Sequence, residues 1–228
     1  MSKALRGNRD LPQMEAVTLA ASAAGTGTDY EHGITNVPNL RQSAPSGTAG
    51  MQADNTMSVR WFSLLPEAAI TGAVTNNYTM KLMQRRAGVV LTSTTSSTAV
   101  AGAGTTVTIT TAAAGAANCY VGQSLDLTGG TGTAETIIVT AVVDTTHITA
   151  YFVNTHSGTY TLTSTPLAQV TYASGTNDAA WVARQLPCLV NIVKPGDTLT
   201  VARVSSNATG LASPVYTAVV EWVEGGPQ

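Results

Sequence analysis

Charged residues are scarce in this 228-residue chain. Asp, Glu, Lys and Arg together make up 11% of it, and the formal net charge is −2. No Lys or Arg occurs between Arg86 and Arg184. Binding to a phosphate backbone requires several cations that release counterions together, and docking on an anionic membrane requires a basic cluster. The composition therefore predicts neither nucleic acid nor a membrane as a partner.

Cysteines and long apolar runs are also few. Cys119 and Cys188 are the only cysteines, and they lack the closely spaced partners of a zinc or redox motif. We expect two separate buried thiols rather than a disulfide. The first ten residues carry Lys3, Arg6 and Arg9, but no apolar segment of signal-peptide length follows, and no apolar run is long enough to span a bilayer. These absences predict a soluble protein made in the cytoplasm.

Short alternating runs rich in Val, Ile, Leu and Thr are what the chain does contain, and such runs predict β-strands. The first is 57–65, in which one side consists of Val59, Trp61 and Ser63 and the other of Arg60, Phe62 and Leu64, before Pro66 ends the run. We expect a strand anchored by an aromatic side chain, with 78–90 as its antiparallel neighbour. Further strands are predicted at 105–111, 124–128, 136–143, 147–153, 168–172, 189–193, 198–204 and 215–223. Only 177–184 has a pattern that could be helical.

The composition changes abruptly at residue 92, which predicts a domain boundary. From Thr92 to Thr165, 22 of 74 residues are Thr, and the apolar pattern of the first strands returns after Pro166. We therefore predict an all-β fold. A discontinuous, jelly-roll-like β-sandwich comprises 57–91 and 167–228, and a small β-sandwich or barrel at 92–166 is inserted into it. Residues 1–56 are broken by Gly, Pro, Asn and Ser and are predicted to form an extended N-terminal arm, either lying on a neighbouring subunit or frayed.

Residues 121–158 read VGQSLDLTGGTGTAETIIVTAVVDTTHITAYFVNTHSG. This stretch resembles a small β module that recurs in bacteriophage structural proteins. Its marks are a glycine-rich turn, then Glu135, an alternating strand, an Asp-Thr-Thr turn, a second strand and a closing Asn-Thr-His-Ser-Gly. Residues 193–223, with a Pro-Gly-Asp-Thr-Leu turn and an Asn-Ala-Thr-Gly loop, resemble the host β domain of phage decoration proteins. Independently of the resemblance, Gly129, Gly130 and Gly132 suit a tight turn that needs positive φ.

Residues with catalytic or metal-binding chemistry do not form a recognisable motif. His147 and His156 flank one predicted strand, but neither has a nearby Cys or closely spaced carboxylate ligand, and His32 is remote in sequence. Asp126, Glu135 and Asp144 fall at turns, where acidic side chains commonly cap backbone amides. No Gly-x-Ser-x-Gly motif occurs, and the Gly-rich pieces lack the Lys of a phosphate loop. We therefore predict no catalytic residue, no metal ligand and no cofactor.

The resemblance implies a structural component of a phage particle, made in the host cytoplasm. We expect a capsid decoration (cement) protein on the outer surface of the head, with the major capsid protein and further copies of itself, as a homotrimer, for partners. The sandwich domain and the arm are expected to contact the shell, and the Thr-rich domain to project outward. The alternative is a tail-fibre or receptor-binding module. Trp61, Trp181 and Trp222 are predicted in or near strands rather than at loop tips, which favours the cement role because glycan sites display aromatic platforms.

Overall fold

The computed structural model is β almost throughout, as the sequence predicts. It describes residues 12–25, 29–34, 40–43, 50–53, 57–86, 93–188, 192–193 and 197–224. Pro195 and Gly196 of the predicted Pro-Gly-Asp-Thr-Leu turn lie outside these residues. The chain divides into two compact units. We call 1–87 with 166–228 the host unit and 88–165 the inserted unit, so the insertion begins four residues before the predicted boundary and ends one residue before it.

The host unit is a sandwich of two sheets with a two-stranded ribbon. The strands of its first sheet are β1 (Gln13–Leu19), β5 (Met57–Pro66), β16 (Arg184–Pro187), β17 (Ile192–Val193) and β19 (Tyr216–Glu224). Those of the second are β2 (Tyr30–Gly33), β3 (Leu40–Ser43), β4 (Gly50–Ala53), β7 (Tyr78–Arg86), β14 (Ala168–Thr171) and β18 (Asp197–Ser205). The ribbon pairs β6 (Ile70–Thr71) with β15 (Asn177–Asp178).

Antiparallel pairing orders both sheets. The first runs β1-β19-β5-β16, with β17 also beside β5, and the second runs β14-β7-β18-β4-β3, with β2 also beside β18. Side chains from both sheets share one core, including Phe62 and Trp222 from the first and Met80, Leu82 and Val201 from the second. Alternate residues along each strand face this core because successive side chains of a strand point to opposite sides.

The prediction of a separate N-terminal arm is wrong for the described residues. β1 pairs along its whole length with β19, and β2 pairs with β18. Leu19 and Ile34 are fully buried in the host core. About half of the backbone groups of an edge strand form hydrogen bonds with the neighbouring strand, which also covers part of its side chains. A short segment can therefore be a strand without a strong alternation of apolar and polar residues. The sequence around β1 and β2 gives little local sign of this.

Two further predictions for the host unit are wrong. β5 and β7, which correspond to the predicted antiparallel neighbours 57–65 and 78–90, lie in different sheets instead of pairing. The region 177–184 contains a short strand, a turn and the start of β16 instead of a helix. The register of β5 against β19 also shifts between Glu221 and Trp222, where Arg60 is the extra residue. This bulge breaks the predicted alternation, so Phe62 is buried while Trp61 is 40% exposed.

The inserted unit is a small barrel. Its strands are β8 (Thr94–Ser96), β9 (Thr105–Thr110), β10 (Ser124–Thr131), β11 (Glu135–Val142), β12 (His147–Phe152) and β13 (Ser157–Ser164). They form one six-stranded sheet in the order β8-β13-β10-β11-β12-β9. A bridge between Ser96 of β8 and Thr111, the residue after β9, joins the two outermost strands of this sheet and so closes it. Its apolar side chains, among them Ile109, Leu125 and Phe152, form a separate core.

Local details of the inserted unit agree with the sequence. Gly129, Gly130 and Gly132 have φ values of 78°, 65° and 122°, which confirms the predicted need for positive φ. Cys119 is buried in this unit and Cys188 in the host unit, and both are free thiols. Burial raises the pKa of Cys119 to about 11 and that of Cys188 to about 12. Neither thiol is a ready nucleophile at neutral pH.

Candidate interaction surface

Glu135 and His156 form a buried pair in the inserted unit. The Glu135 carboxylate lies 2.6 Å from His156 Nε2 and also accepts the backbone N–H groups of Val153 (2.8 Å) and Asn154 (3.2 Å). The side chains of Glu135 and His156 are 7% and 1% exposed. His156 also exchanges two backbone hydrogen bonds with Val100. The predicted role of Glu135 as an acceptor of backbone N–H groups is thus observed, and its donors belong to the loop that joins β12 to β13.

Asp144 caps the turn between β11 and β12. One of its carboxylate oxygens accepts the backbone N–H of Thr146 (2.7 Å) and of His147 (2.8 Å), and the His147 ring lies 2.8 Å from the other. The backbone N–H of Thr146 and the ring of His147 lower the pKa of Asp144 to about 2. This is the predicted turn-capping role. The expectation that His147 has no closely spaced carboxylate is wrong, because Asp144, three residues earlier, contacts its ring.

The remaining candidate residues are dispersed. Asp126 accepts hydrogen bonds from the hydroxyls of Thr136 and Thr165, both 2.8 Å long. His32 lies in the host unit, with its ring 4.9 Å from that of Tyr30. Within the described parts of the chain, no three His, Cys, Asp or Glu side chains cluster as a metal site would require. In these same parts, no helix is both long and apolar enough to cross a bilayer. The polar contacts found here close turns and join strands.

The outward side of the first host sheet is a broad surface of low charge. Directly paired residues of antiparallel strands lie on the same side of a sheet, so the register defines this surface. We call it the outer face. Its members are Met14, Ala16 and Thr18 of β1, Thr217, Val219 and Glu221 of β19, Trp61, Ser63 and Leu65 of β5, and Gln185 and Pro187 of β16.

The outer face exposes apolar side chains. Met14 is 69% exposed and Trp61 40% exposed, while Leu65 and Val219 are half-buried. Glu221 is its single carboxylate, and Arg60, the exposed extra residue of the bulge, adds one cation beside it. Met14 and Trp61 lie on either side of Glu221 in the pairing register, so two exposed apolar side chains occupy one row of this face. Such a sheet face can dock a flat protein surface through burial of apolar area.

The edges of this sheet are less suited to contact. Glu15 lies between Met14 and Ala16 on the core-facing side of β1, and burial raises the pKa of its carboxyl. At the other side, β16 includes Pro187, which has no backbone N–H to donate. Inward charges and prolines on edge strands are common protections against edge-to-edge pairing. A partner would therefore meet the face of the sheet rather than its edges.

A second exposed apolar feature is the turn 179–183 between β15 and β16, which we call the tip. Its Trp181 has φ +60° and is 64% exposed, and Val182 is 57% exposed. The backbone N–H of Trp181 donates to the backbone carbonyl of Pro66 at 2.8 Å, which fixes the tip to the end of β5. The prediction that the tryptophans avoid loop tips is wrong for Trp181, although Trp222 is 1% exposed and belongs to the core.

Comparison of the chain with family models, with curated proteins and with solved structures finds no match. The outer face and the tip were not anticipated from the sequence. The alternation of 13–19 hints that β1 has two sides, but only the pairing register identifies the side that faces solvent. For Trp181, no local pattern indicated an exposed turn.

Proposed function

We propose that this chain is a non-enzymatic decoration protein of a bacteriophage head, which docks on the shell through the outer face of the host unit. The observation that carries the proposal is the outer face itself, a four-strand-wide sheet surface with exposed Met14 and Trp61 and protected edges. The resemblance of 121–158 and 193–223 to phage structural and decoration proteins points to the particle. In this proposal the host unit contacts the major capsid protein and the inserted unit faces solvent.

The size of the outer face suggests how docking becomes stable. Four strands about 4.8 Å apart, each contributing about six residues at 3.3 Å, cover roughly 400 Å². A stable protein interface usually buries about 800 Å² on each partner. One face alone therefore binds weakly, whereas a homotrimer would engage the shell with three faces and gain avidity without new contacts. This is the physical reason for keeping a trimer in the proposal.

The second candidate function is a tail-fibre or receptor-binding module. The exposed Trp181 is the observation that favours it, because aromatic platforms stack on sugar rings. The inserted barrel, with its Thr-rich outer surface, would also suit display toward a cell. The two functions differ sharply in stoichiometry: decoration requires hundreds of copies on each particle, whereas a tail or fibre requires few.

The first test is the copy number of the chain in purified particles, measured by quantitative mass spectrometry against the major capsid protein. We expect hundreds of copies. A handful would refute decoration and support the tail or fibre role. Particles that lack the chain altogether would refute both.

The second test asks whether the outer face binds the shell. Trp61→Glu places a charge on this face, and Val204→Glu is its matched control, because Val204 is 41% exposed and lies on a strand of the other host sheet. We expect Trp61→Glu to lose binding to heads that lack the chain, while Val204→Glu binds as the natural protein does. Equal binding by both variants would show that the shell contact lies elsewhere.

A further inference from the structure

Trp181 is held in a conformation that its side chain disfavours. A φ of +60° is left-handed backbone, which costs a bulky residue free energy because its Cβ approaches the neighbouring carbonyl. Contacts of the indole within the chain offset little of this free energy, since Trp181 is 64% exposed. Strained residues persist only where the surrounding structure determines them, and they concentrate at sites of binding and function. The strain at Trp181 therefore points to a binding role for the tip.

The base of the tip is clamped on both sides. The Arg184 guanidinium contacts the Asp178 carboxylate at 2.5 and 2.9 Å, and the Tyr172 hydroxyl donates to the same carboxylate at 2.7 Å. The Asn177 side chain accepts the backbone N–H of Gly72 at 3.0 Å. Together with the Trp181 N–H bond to Pro66, these contacts hold the tip before any partner arrives. A preformed element loses little conformational entropy on binding.

The chemistry of the tip suits an apolar pocket. Besides Trp181, it contains only Ala179, Ala180, Val182 and Ala183, so the indole N–H is its single side-chain group that can hydrogen-bond to a sugar hydroxyl. The nearest charged groups, Asp178 and Arg184, are engaged with each other. Small-molecule and sugar sites need a few placed polar groups beside their apolar surface. A protein pocket that receives an indole needs only one acceptor for the indole N–H, and Trp is among the residues that most often dominate protein interfaces.

The tip also adjoins the outer face. Its bond to Pro66 attaches it one residue beyond Leu65, the last member of the outer face on β5. The outer face alone is about half the size of a usual interface. The tip adds the two exposed side chains of Trp181 and Val182 at its margin. Face and tip together approach the area that a stable contact requires.

We infer that the tip is a preformed docking anchor, in which Trp181 fills an apolar pocket on the shell protein at the margin of the outer-face contact. This inference rests on the proposed function and deepens it, because it names the residue that dominates the contact and the pocket that the partner must offer. The strain at Trp181 is the cost of presenting the indole in the binding orientation.

Trp181→Gly separates this role from a structural one. Glycine accepts a φ of +60° without strain but is more flexible when unfolded, so the two effects offset and we expect a melting temperature within about 3 °C of the natural protein. Binding to heads assembled without the chain should weaken about 30-fold or more, as expected for an interface tryptophan. Val74→Gly is the control, since Val74 is 78% exposed in another turn, and it should bind normally.

The outcomes separate the inference from the proposed function. If the natural protein binds heads and Trp181→Gly binds equally well, the inference is wrong and the proposed function stands. If the natural protein does not bind heads, both are wrong. If Trp181→Gly instead loses binding to host-cell glycans presented on an array, the indole is a sugar platform, which overturns the inference and favours the receptor-binding function. A change of oligomeric state in sedimentation would place the pocket on a second copy and would also overturn it.

Discussion

The Glu31 carboxylate neutralises a guanidinium that the host unit buries, so its removal should destabilise that unit strongly. Arg85 donates from Nε to Glu31 Oε1 at 2.8 Å and from Nη2 to Oε2 at 3.0 Å, and the Thr200 hydroxyl donates to the same carboxylate. The Arg85 side chain is 5% exposed and that of Glu31 18% exposed. The substitution Glu31→Gln keeps the shape of the side chain but removes the negative charge that contacts the buried Arg85 guanidinium.

The expected cost follows from this burial. Removing one partner of a buried ion pair costs about 3–5 kcal/mol, because the remaining charge stays desolvated. Glutamine can still accept one hydrogen bond, so we expect about 3 kcal/mol. For a unit of roughly 150 residues this corresponds to a fall in melting temperature of about 6–12 °C. Replacing both residues by apolar ones, Glu31→Leu with Arg85→Met, should recover at least half of the loss, since the buried guanidinium is then removed together with the carboxylate.

The melting of the host unit can be followed selectively. All three tryptophans, Trp61, Trp181 and Trp222, belong to it, so tryptophan fluorescence reports on this unit alone. Thermal and urea unfolding of the natural protein, the single variant and the double variant give the three free energies. A single variant that melts within 1–2 °C of the natural protein would refute the reasoning. A double variant no more stable than the single one would show that lost packing, and not the loss of the Glu31 charge beside Arg85, is responsible.

The same ion pair predicts the response of the host unit to acid. Burial tends to raise the pKa of Glu31, but the hydrogen bonds and the charge of Arg85, with the Thr200 hydroxyl, outweigh it and lower the pKa below its ordinary value of 4.5. A carboxyl with a lowered pKa in the folded state contributes stability that is complete above about pH 4.5 and is lost as the pH falls further. Unfolding between pH 6 and pH 3 should therefore show a smaller loss of stability for Glu31→Gln than for the natural protein.

Three further predictions concern other sites. Glu135→Gln removes one of the acceptor oxygens that serve two loop amides and His156, so it should cost about 2–4 kcal/mol and accelerate amide hydrogen exchange in the inserted unit. If exchange there is unchanged, the carboxylate is not a structural tie. At Gly132, φ is +122° and a Cβ would meet a carbonyl oxygen at 2.2 Å, so Gly132→Ala should destabilise the same unit by more than about 1 kcal/mol in urea unfolding, and a neutral effect would contradict this geometry. Cys119 and Cys188, with raised pKa values, should react with a thiol reagent at pH 8 only after unfolding, and rapid reaction of the native protein would refute their burial.

Removal of residues 1–56 should unfold the host unit, whereas removal of a free arm would leave it folded. Besides Glu31, Asp29 contributes to the host unit: it contacts Arg203 at 3.0 Å and accepts the Ser205 N–H at 2.8 Å, and Arg203 is fully buried. A chain that begins at Met57 would bury both arginines without these carboxylates. We expect this truncated protein to lose its cooperative melt in the fluorescence assay. Retention of a cooperative melt near the natural temperature would restore the interpretation of the segment as a dispensable arm.

Several features of this protein were determined by local sequence. Alternating β-branched and apolar residues predicted β5, β9, β11, β12, β18 and β19 to within a few residues, because strand propensity and two-residue periodicity are short-range properties. The glycines at 129, 130 and 132 predicted positive φ, since other residues are strained there. The isolated cysteines predicted separate thiols. Each of these depends on a residue and its immediate neighbours.

The tertiary structure alone decided which strands pair and which side of each faces solvent. The extra residue Arg60 reverses the face of Trp61 relative to a regular strand, and only the partner strand reveals it. Strand β2 belongs to the host sheet because its neighbours supply hydrogen bonds and because Arg85 and Arg203 need the nearby carboxylates. Pairing register, burial and charge compensation join residues far apart in the chain. The outer face and the tip arise from such long-range contacts, so no local pattern could have predicted them.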